Sequence, residues 1–467
     1  MLLSSITLTY SILVVSILVI SLKKSLRAKT IQESITVWFL FGFVTNLISS
    51  ATYYVTLPVV SVSFLPAFFL ISLAVFLFAA VCGLVYSIAG IASFYFKRNS
   101  LIELFGISLT FFFLEILRSY AITILLWGGG SSFGAHMSSW TFSEILANTP
   151  LVSFAYFGGV FALAGVLVFC VGIFVYPIKN FFRMGLFGIV ILVSILIKNY
   201  PNSITDLKPV TIAVVQTSFS RTETGEDTKR VFRERKEIIL PLVLSLASSS
   251  PDIIVFPEDS RFVTSQTPEE KKELQRLFPN TLFIDGTTRM TLEGRKNTSI
   301  IFDAETGETT TRNKGFLFPF GEYVPYVIQP VIHLFGGSKL LAAYESFHEY
   351  TAGVLPSARQ TRLGKIGILI CSEINSFTSI RSLGKTKPEI VFLQSSLAWG
   401  RNNTYLNMEY LFSVKIAAAM LRKPIITVAN YGPSIVVDAT GKTIFFKEKQ
   451  LGATLFIFKD GVIDQIK

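Results

Sequence analysis

Acidic residues are scarce in the first 200 positions: only Glu33, Glu103, Glu115 and Glu144, beside ten Lys and Arg. The rest of the 467-residue chain holds 27 acids and 32 bases. Charged residues make up 16% of the whole, where a soluble domain carries about a quarter. That deficit excludes a protein solvated by water alone and divides the chain into a membrane half, 1–204, and a soluble half, 205–467. Cysteine is nearly absent too. Cys82 and Cys170 lie in apolar runs, where a thiol behaves as a small hydrophobe. Cys371 is then the only thiol of the soluble half, which excludes an internal disulfide there and makes it a candidate nucleophile.

A bilayer span needs about 20 mostly apolar residues. Six such stretches occur, at roughly 3–21, 35–57, 64–95, 101–127, 148–176 and 184–199. The first has no basic residues before it, and Lys23, Lys24, Arg27 and Lys29 follow it, so it reads as a retained span rather than a cleaved signal. The net charge of +11 does not point to nucleic acid. Eight bases sit in three short clusters, 23–29, 97–98 and 179–183, while the alternate loops, 58–63 and 128–147, contain no Lys or Arg. Basic loops stay cytoplasmic, so the N-terminus and the soluble half are both expected outside. Within the fourth span, Glu115 and Arg118 lie three apart on one helix face. Charges at that depth are rare and usually paired, and the plain reading is a structural pair pinning one helix to its surroundings.

From Val210 onward the texture changes to apolar strands separated by amphipathic helices. The strand candidates are VTIAVVQT (210–217), DIIVFPE (252–258), TLFIDGTT (281–288), TSIIFDAETG (298–307), GKIGILICSE (364–373), EIVFLQSS (389–396), KPIITVAN (423–430) and PSIVVDATGKTIFF (433–446). Continuous apolar strands predict an α/β domain with both sheet faces covered. The turns DAETG and DATG predict some antiparallel pairing as well. DIIVFPE ends on Glu258, GKIGILIC ends on Cys371, and Lys314 sits in TTRNKGFLFPFGEYVP (310–325); strand ends at one rim of a sheet are where α/β folds assemble their sites. Singly, each has an ordinary explanation: a solvated carboxylate, a surface lysine, a packed thiol.

Together they resemble something specific. FPE (256–258), NK followed by PFGEYVP (313–325) and ICSE (370–373) resemble the signature blocks of the nitrilase superfamily, and more closely its membrane branch, the bacterial apolipoprotein N-acyltransferases. IAVVQTS (212–218), LEILRS (114–119) and NTPLVSFAYFGGVFALAG (148–165) resemble further segments of that family. The resemblance implies a transmembrane helical bundle followed by an αββα sandwich. It implies Glu258 as general base, Lys314 as oxyanion stabiliser and Cys371 as nucleophile, with Glu322, Ser372, Glu373 and Trp399 as supporting residues. The chemistry is consistent on its own terms, since a thiol near pH 7 needs a base and a cation to act. His136, His333 and His348 fall outside these blocks, so a Cys–His pair is not expected, nor is a metal or cofactor.

The chain also departs from the pattern. Ser372 stands where the family has Tyr; SSLAWG (395–400) keeps Ser395 and Trp399 but has Ser396 and Leu397 in place of Asn-Asp; Met420 stands where Glu is usual. The implied function is acyl transfer from a phospholipid, through a Cys371 thioester, to the α-amino group of a diacylated lipoprotein at the outer face of the cytoplasmic membrane. The apolar segment 323–344 is a candidate arm or lid. The alternatives are a membrane-anchored amide or ester hydrolase and a catalytically silent binding protein. The triad alone does not separate transferase from hydrolase.

Overall fold

A computed structural model of the protein describes residues 2–50, 64–97, 100–138, 141–199, 209–219, 228–330, 332–334, 350–400 and 403–466. Among the described residues, six α-helices form the first half: α1 (Leu2–Arg27), α2 (Ile31–Ser49), α3 (Phe64–Phe96), α4 (Ser100–Leu125), α5 (Ala155–Val175) and α6 (Asn180–Asn199). All six are long and apolar enough to cross a membrane, and the protein is a multi-pass membrane protein. The expected second span is helical to Ser49; its remainder, the loop 58–63, Arg98 and the boundary at 204/205 lie outside the described residues. The expected fifth span begins as two short 3-10 turns, Phe142–Asn148 and Pro150–Phe154, before α5. Inside α5 the backbone breaks at Gly158–Gly159, where Gly159 takes φ 60°. That left-handed conformation suits glycine.

Small residues let α2 and α3 meet closely, as membrane helices must when lipid is as apolar as leucine. A methyl added to Gly90 would lie 2.5 Å from the Ile35 Cα. The pair on α4 is wholly buried. Arg118 Nε donates to Glu115 Oε2 at 2.8 Å, Tyr86 donates to the other carboxylate oxygen, and Arg118 Nη2 reaches the Met137 carbonyl at 3.3 Å.

Two sheets make the second half. One has the order β13-β12-β1-β2-β3-β4-β5 and the other β11-β10-β9-β8-β7-β6. The strands that place the site are β1 (Val210–Gln216), β2 (Ile253–Val255), β3 (Leu282–Thr291), β4 (Gly294–Asp303), β5 (Thr309–Asn313), β6 (Arg359–Thr361), β7 (Gly364–Ile370), β8 (Ile390–Ser396) and β9 (Ile425–Asn430). The hairpin β10 (Ser434–Val437) and β11 (Thr443–Lys447) closes one edge, and the hairpin β12 (Gly452–Lys459) and β13 (Val462–Gln465) the other. Both expected D-x-T-G turns join antiparallel neighbours, β4 to β5 and β10 to β11.

The strands alternate, and that alternation builds the layers. Ile212, Val214, Ile253, Val255, Ile366, Ile368 and Ile370 fill the space between the sheets. The opposite face of the first sheet, with Ala213, Val215, Ile254 and Phe283, is covered by α7 (Thr228–Ser245) and α8 (Pro268–Leu277). The opposite face of the second, with Leu369, Val391 and Leu393, is covered by α9 (Phe377–Lys385) and α10 (Thr404–Leu421). This is the αββα sandwich that the resemblance implies. Each fully buried Ile or Leu contributes about 1.5–3 kcal/mol, so the inter-sheet layer is a large contributor to the sandwich's stability.

Helix α10 also serves the first half. Its Leu411, Val414 and Ala417 pack on the sheet, while Met408, Phe412, Ile416 and Ala419 belong to the core of the membrane helices.

Candidate active site

Four turns converge at one rim of the sandwich. β2 runs straight into Phe256–Pro257–Glu258, and β5 hands over to Lys314 at its end. Glu322 sits in the following turn, where its Oε2 accepts from the Phe318 amide at 2.7 Å. The fourth turn starts at Cys371, directly after β7. Strand alternation would send residue 371 to the outer face, but Cys371 takes φ 46° and packs instead against the inter-sheet layer. A left-handed non-glycine residue costs about 1–2 kcal/mol, which the surrounding turn must hold in place.

The three expected reacting groups come together. Lys314 Nζ lies 3.6 Å from Glu258 Oε1 and 2.8 Å from Glu322 Oε2, with only 1% of its side chain exposed. Cys371 lies beside the Glu258 carboxylate, and the residue is only partly buried. Glu258 Oε2 is fixed by the Ser396 amide at 2.9 Å.

Burial decides the protonation pattern. It raises the Glu258 pKa, helped by the Glu322 charge and opposed by Lys314. It raises the Cys371 thiol well above its ordinary value, and the neighbouring Glu258 charge adds to this. Burial alone would depress Lys314, but Glu322, Cys371 and Glu258 outweigh it and hold the ammonium above its usual pKa. These shifts favour a protonated thiol and an ammonium cation, and they bias Glu258 toward holding a proton.

The supporting residues are placed differently. Glu373, wholly buried, pairs with Arg312 and accepts from the amides of Gly315 at 2.7 Å and Ile370 at 2.8 Å. It thereby ties the Lys314 turn to the Cys371 turn. Ser372 does the same by donating to the Phe316 carbonyl at 2.9 Å. Trp399 packs on Phe318 with ring centroids 5.6 Å apart, and the Phe318 amide in turn donates to Glu322. Met420 lies against Gly159 of α5, a site of apolar packing between the two halves. Glu115 and Arg118 are not brought to the triad; they stay on α4.

Sequence reading missed three residues. Asn297, on β4, donates through Nδ2 to Glu258 Oε1 at 2.6 Å and to Glu322 Oε1 at 3.1 Å, while its carbonyl accepts from the Lys314 amide at 2.8 Å. Nothing in RKNTSIIF announced this, because it follows from the β4–β5 register, which pairs Thr298 with Asn313. Arg312 stands two residues before Lys314, immediately ahead of the NK block. Asp285, on β3, accepts from Ser260 and from the Val263 amide at 2.8 Å, which secures the turn after Glu258, and burial lifts its pKa to about 6.

A helical membrane bundle carrying an αββα sandwich, with acid, ammonium and thiol gathered at the sandwich rim, defines a multi-pass membrane protein with a cysteine-centred site. No family model matches the chain. It is 23% identical over 459 residues to an apolipoprotein N-acyltransferase of Rickettsia typhi, covering 94% of this chain and 85% of that one. The Rickettsia bellii protein of the same name is 24% identical, covering 94% and 84%. The match to the Allorhizobium ampelinum protein of that name is 26% identical but spans 51% of this chain and 46% of its relative. Over most of its length the chain is thus similar, at 23–24% identity, to proteins named apolipoprotein N-acyltransferase. Among solved structures, the C. elegans NitFhit protein is 14% identical with a TM-score of 0.42, covering 55% of this chain and 62% of its own. A glutamine-dependent NAD+ synthetase of Acinetobacter baumannii is 16% identical with a TM-score of 0.41, covering 56% and 48%.

Proposed function

We propose that this protein is an N-acyltransferase that moves an acyl chain from a membrane phospholipid to the α-amino group of a diacylated lipoprotein. The observation that carries the reading is the Lys314 ammonium held between Glu258 and Glu322 beside a left-handed Cys371, in a chain anchored by six membrane-length helices. In this reading Glu258 takes the thiol proton as the Cys371 sulfur attacks the ester carbonyl, and Lys314 stabilises the oxyanion that forms. The C–O bond then breaks, Glu258 returns the proton to the departing lysolipid oxygen, and a thioester remains on Cys371. The lipoprotein amine attacks that thioester, Glu258 takes the amine's proton, and as the C–S bond breaks Glu258 passes that proton to the departing sulfur, which restores the Cys371 thiol.

The membrane setting supports lipid-borne substrates, since each buried CH₂ holds an acyl chain in the bilayer by about 0.8 kcal/mol. The described part of segment 323–344 fits an arm at the membrane surface. Its Val324, Ile328 and Ile332 pack together against Ala74 of α3, and Tyr326 is half exposed; most of the remainder lies outside the described residues. Loop charges favour placing the sandwich at the outer face of the cytoplasmic membrane, with the clusters 23–29, 97–98 and 179–183 inside.

The test is intact mass of the purified protein after incubation with phospholipid vesicles. One acyl chain should appear on Cys371, be absent from Cys371→Ala, and disappear when a diacylated lipopeptide is added, with acylation of its amine. Loss of the chain to water at the same rate without lipopeptide would make the protein a hydrolase.

A further inference from the structure

The loop leaving α4 is built into the active site although it belongs to the membrane half. Over residues 126–138 it touches both turns that carry the chemistry. On the Lys314 side, Tyr323 donates to the Leu126 carbonyl at 2.9 Å, the Tyr326 amide to the Trp127 carbonyl at 2.7 Å, and Ser132 Oγ to the Gly315 carbonyl at 3.3 Å. On the Cys371 side, the Ser138 amide and hydroxyl both donate to the Asn375 carbonyl, at 3.0 and 2.8 Å. Arg118 fastens the loop from within the bilayer half by donating to Met137 O.

His136 stands where the two sets of contacts meet. It is wholly buried. Its ring stacks on Phe316, two residues past Lys314, at 4.6 Å and 4°. Nε2 meets Ser132 Oγ at 3.0 Å, and Nδ1 meets Ser376 Oγ at 2.7 Å, five residues past Cys371. Burial lowers its pKa to about 4, so near neutrality it is an uncharged bridge with one donor and one acceptor nitrogen.

We propose that His136 is a positioning residue that sets the spacing between the Lys314 turn and the Cys371 turn, through a strap that the membrane half lays across both. It touches neither reacting group and acts through Phe316 and Ser376. The proposal rests on the reading above in so far as Lys314 is the cation that serves the Cys371 sulfur. Loosening the bridge lets that cation recede. The other groups that face the sulfur, Glu258, Glu322 and Tyr410, are carboxylates and a phenol that do not replace it.

The experiment follows the pH dependence of iodoacetamide alkylation at Cys371 in the full-length protein, by peptide mass. His136→Phe keeps the ring on Phe316 and removes both nitrogen contacts. His136→Asn keeps a polar atom near Nδ1, and His136→Gln one near Nε2. With attraction falling as distance grows, His136→Phe should alkylate about fivefold more slowly at neutral pH, with its thiol titration moved upward and its melting temperature unchanged. His136→Asn should recover most of the rate. A His136→Phe profile superimposable on the parent's would overturn the proposal, as would slowing that tracks a lost melting temperature in every variant. Should His136→Phe fail to fold, parent-like rates in both His136→Asn and His136→Gln would overturn it too. Alkylation needs no lipid, so failure of the parent to form acyl-Cys371 would count against the acyltransferase reading alone.

Discussion

Replacing Asn297 by leucine tests how the site keeps two adjacent carboxylates apart in role. The change keeps the branched skeleton of the side chain and deletes the one amide that donates to both, at 2.6 Å to Glu258 and 3.1 Å to Glu322. A hydrogen bond to a charged acceptor is worth about 1.5–3 kcal/mol. One pKa unit corresponds to about 1.4 kcal/mol, so losing the bond to Glu258 should raise its pKa by a further one to two units or so. The sign follows from the chemistry. Glu258 must be ionised to take the thiol proton, so a higher pKa leaves less of the active form at a given pH. The acid limb of thioester formation should therefore move to higher pH by the same amount, with the rate approaching the parent's above it. The assay is single-turnover acylation of Cys371 from phospholipid vesicles, read by intact mass between about pH 5 and 9. An acid limb that stays within about 0.3 unit of the parent's would falsify the claim that Asn297 governs Glu258 ionisation.

Lys314→Met should leave a folded protein whose acylation is slower by about 10²–10³-fold, the usual worth of a charge-stabilising donor; full acylation of Cys371 would show the lysine to be structural. Arg312→Leu strands the wholly buried Glu373 without its ion partner. It should cost about 3–5 kcal/mol, visible as a lowered melting temperature, and an unchanged melt would show that the pair adds nothing. Topology is open to cysteine labelling with an impermeant reagent: Asp227→Cys should react from outside intact cells and Lys24→Cys only after permeabilisation. Labelling of both from one side would refute the orientation read from the basic loops.

Much of the architecture was legible because buried strands write themselves as unbroken apolar runs. GKIGILIC and DIIVFPE gave the strand, its burial and the polar residue at its end in one stretch. What the pattern could not give was register and long-range apposition. Asn297 acquires its role only when β4 and β5 pair as they do, and His136 meets a partner 240 residues away. The break in α5 had a visible cause in the Gly158–Gly159 pair, yet sequence does not say which way a glycine will turn. Cys371 shows the same limit. Alternation along β7 predicts the wrong face for it, and the left-handed φ that corrects this is a property of the finished turn. The departure at Met420 becomes intelligible only beside α5, where an apolar side chain packs against glycine.

The double burial of α10 has a consequence for biosynthesis. Met408, Phe412, Ile416 and Ala419 find their cover among helices made much earlier on the ribosome. The sandwich therefore finishes on a template already seated in the bilayer, and its last helix docks onto that template as it closes the second sheet. Grafted onto a foreign anchor, or released as residues 205–467, the sandwich would present that apolar face to water, inviting aggregation. Exchange of parts between this protein and soluble proteins of similar fold would have to carry the outer face of α10 along with its partners in the membrane.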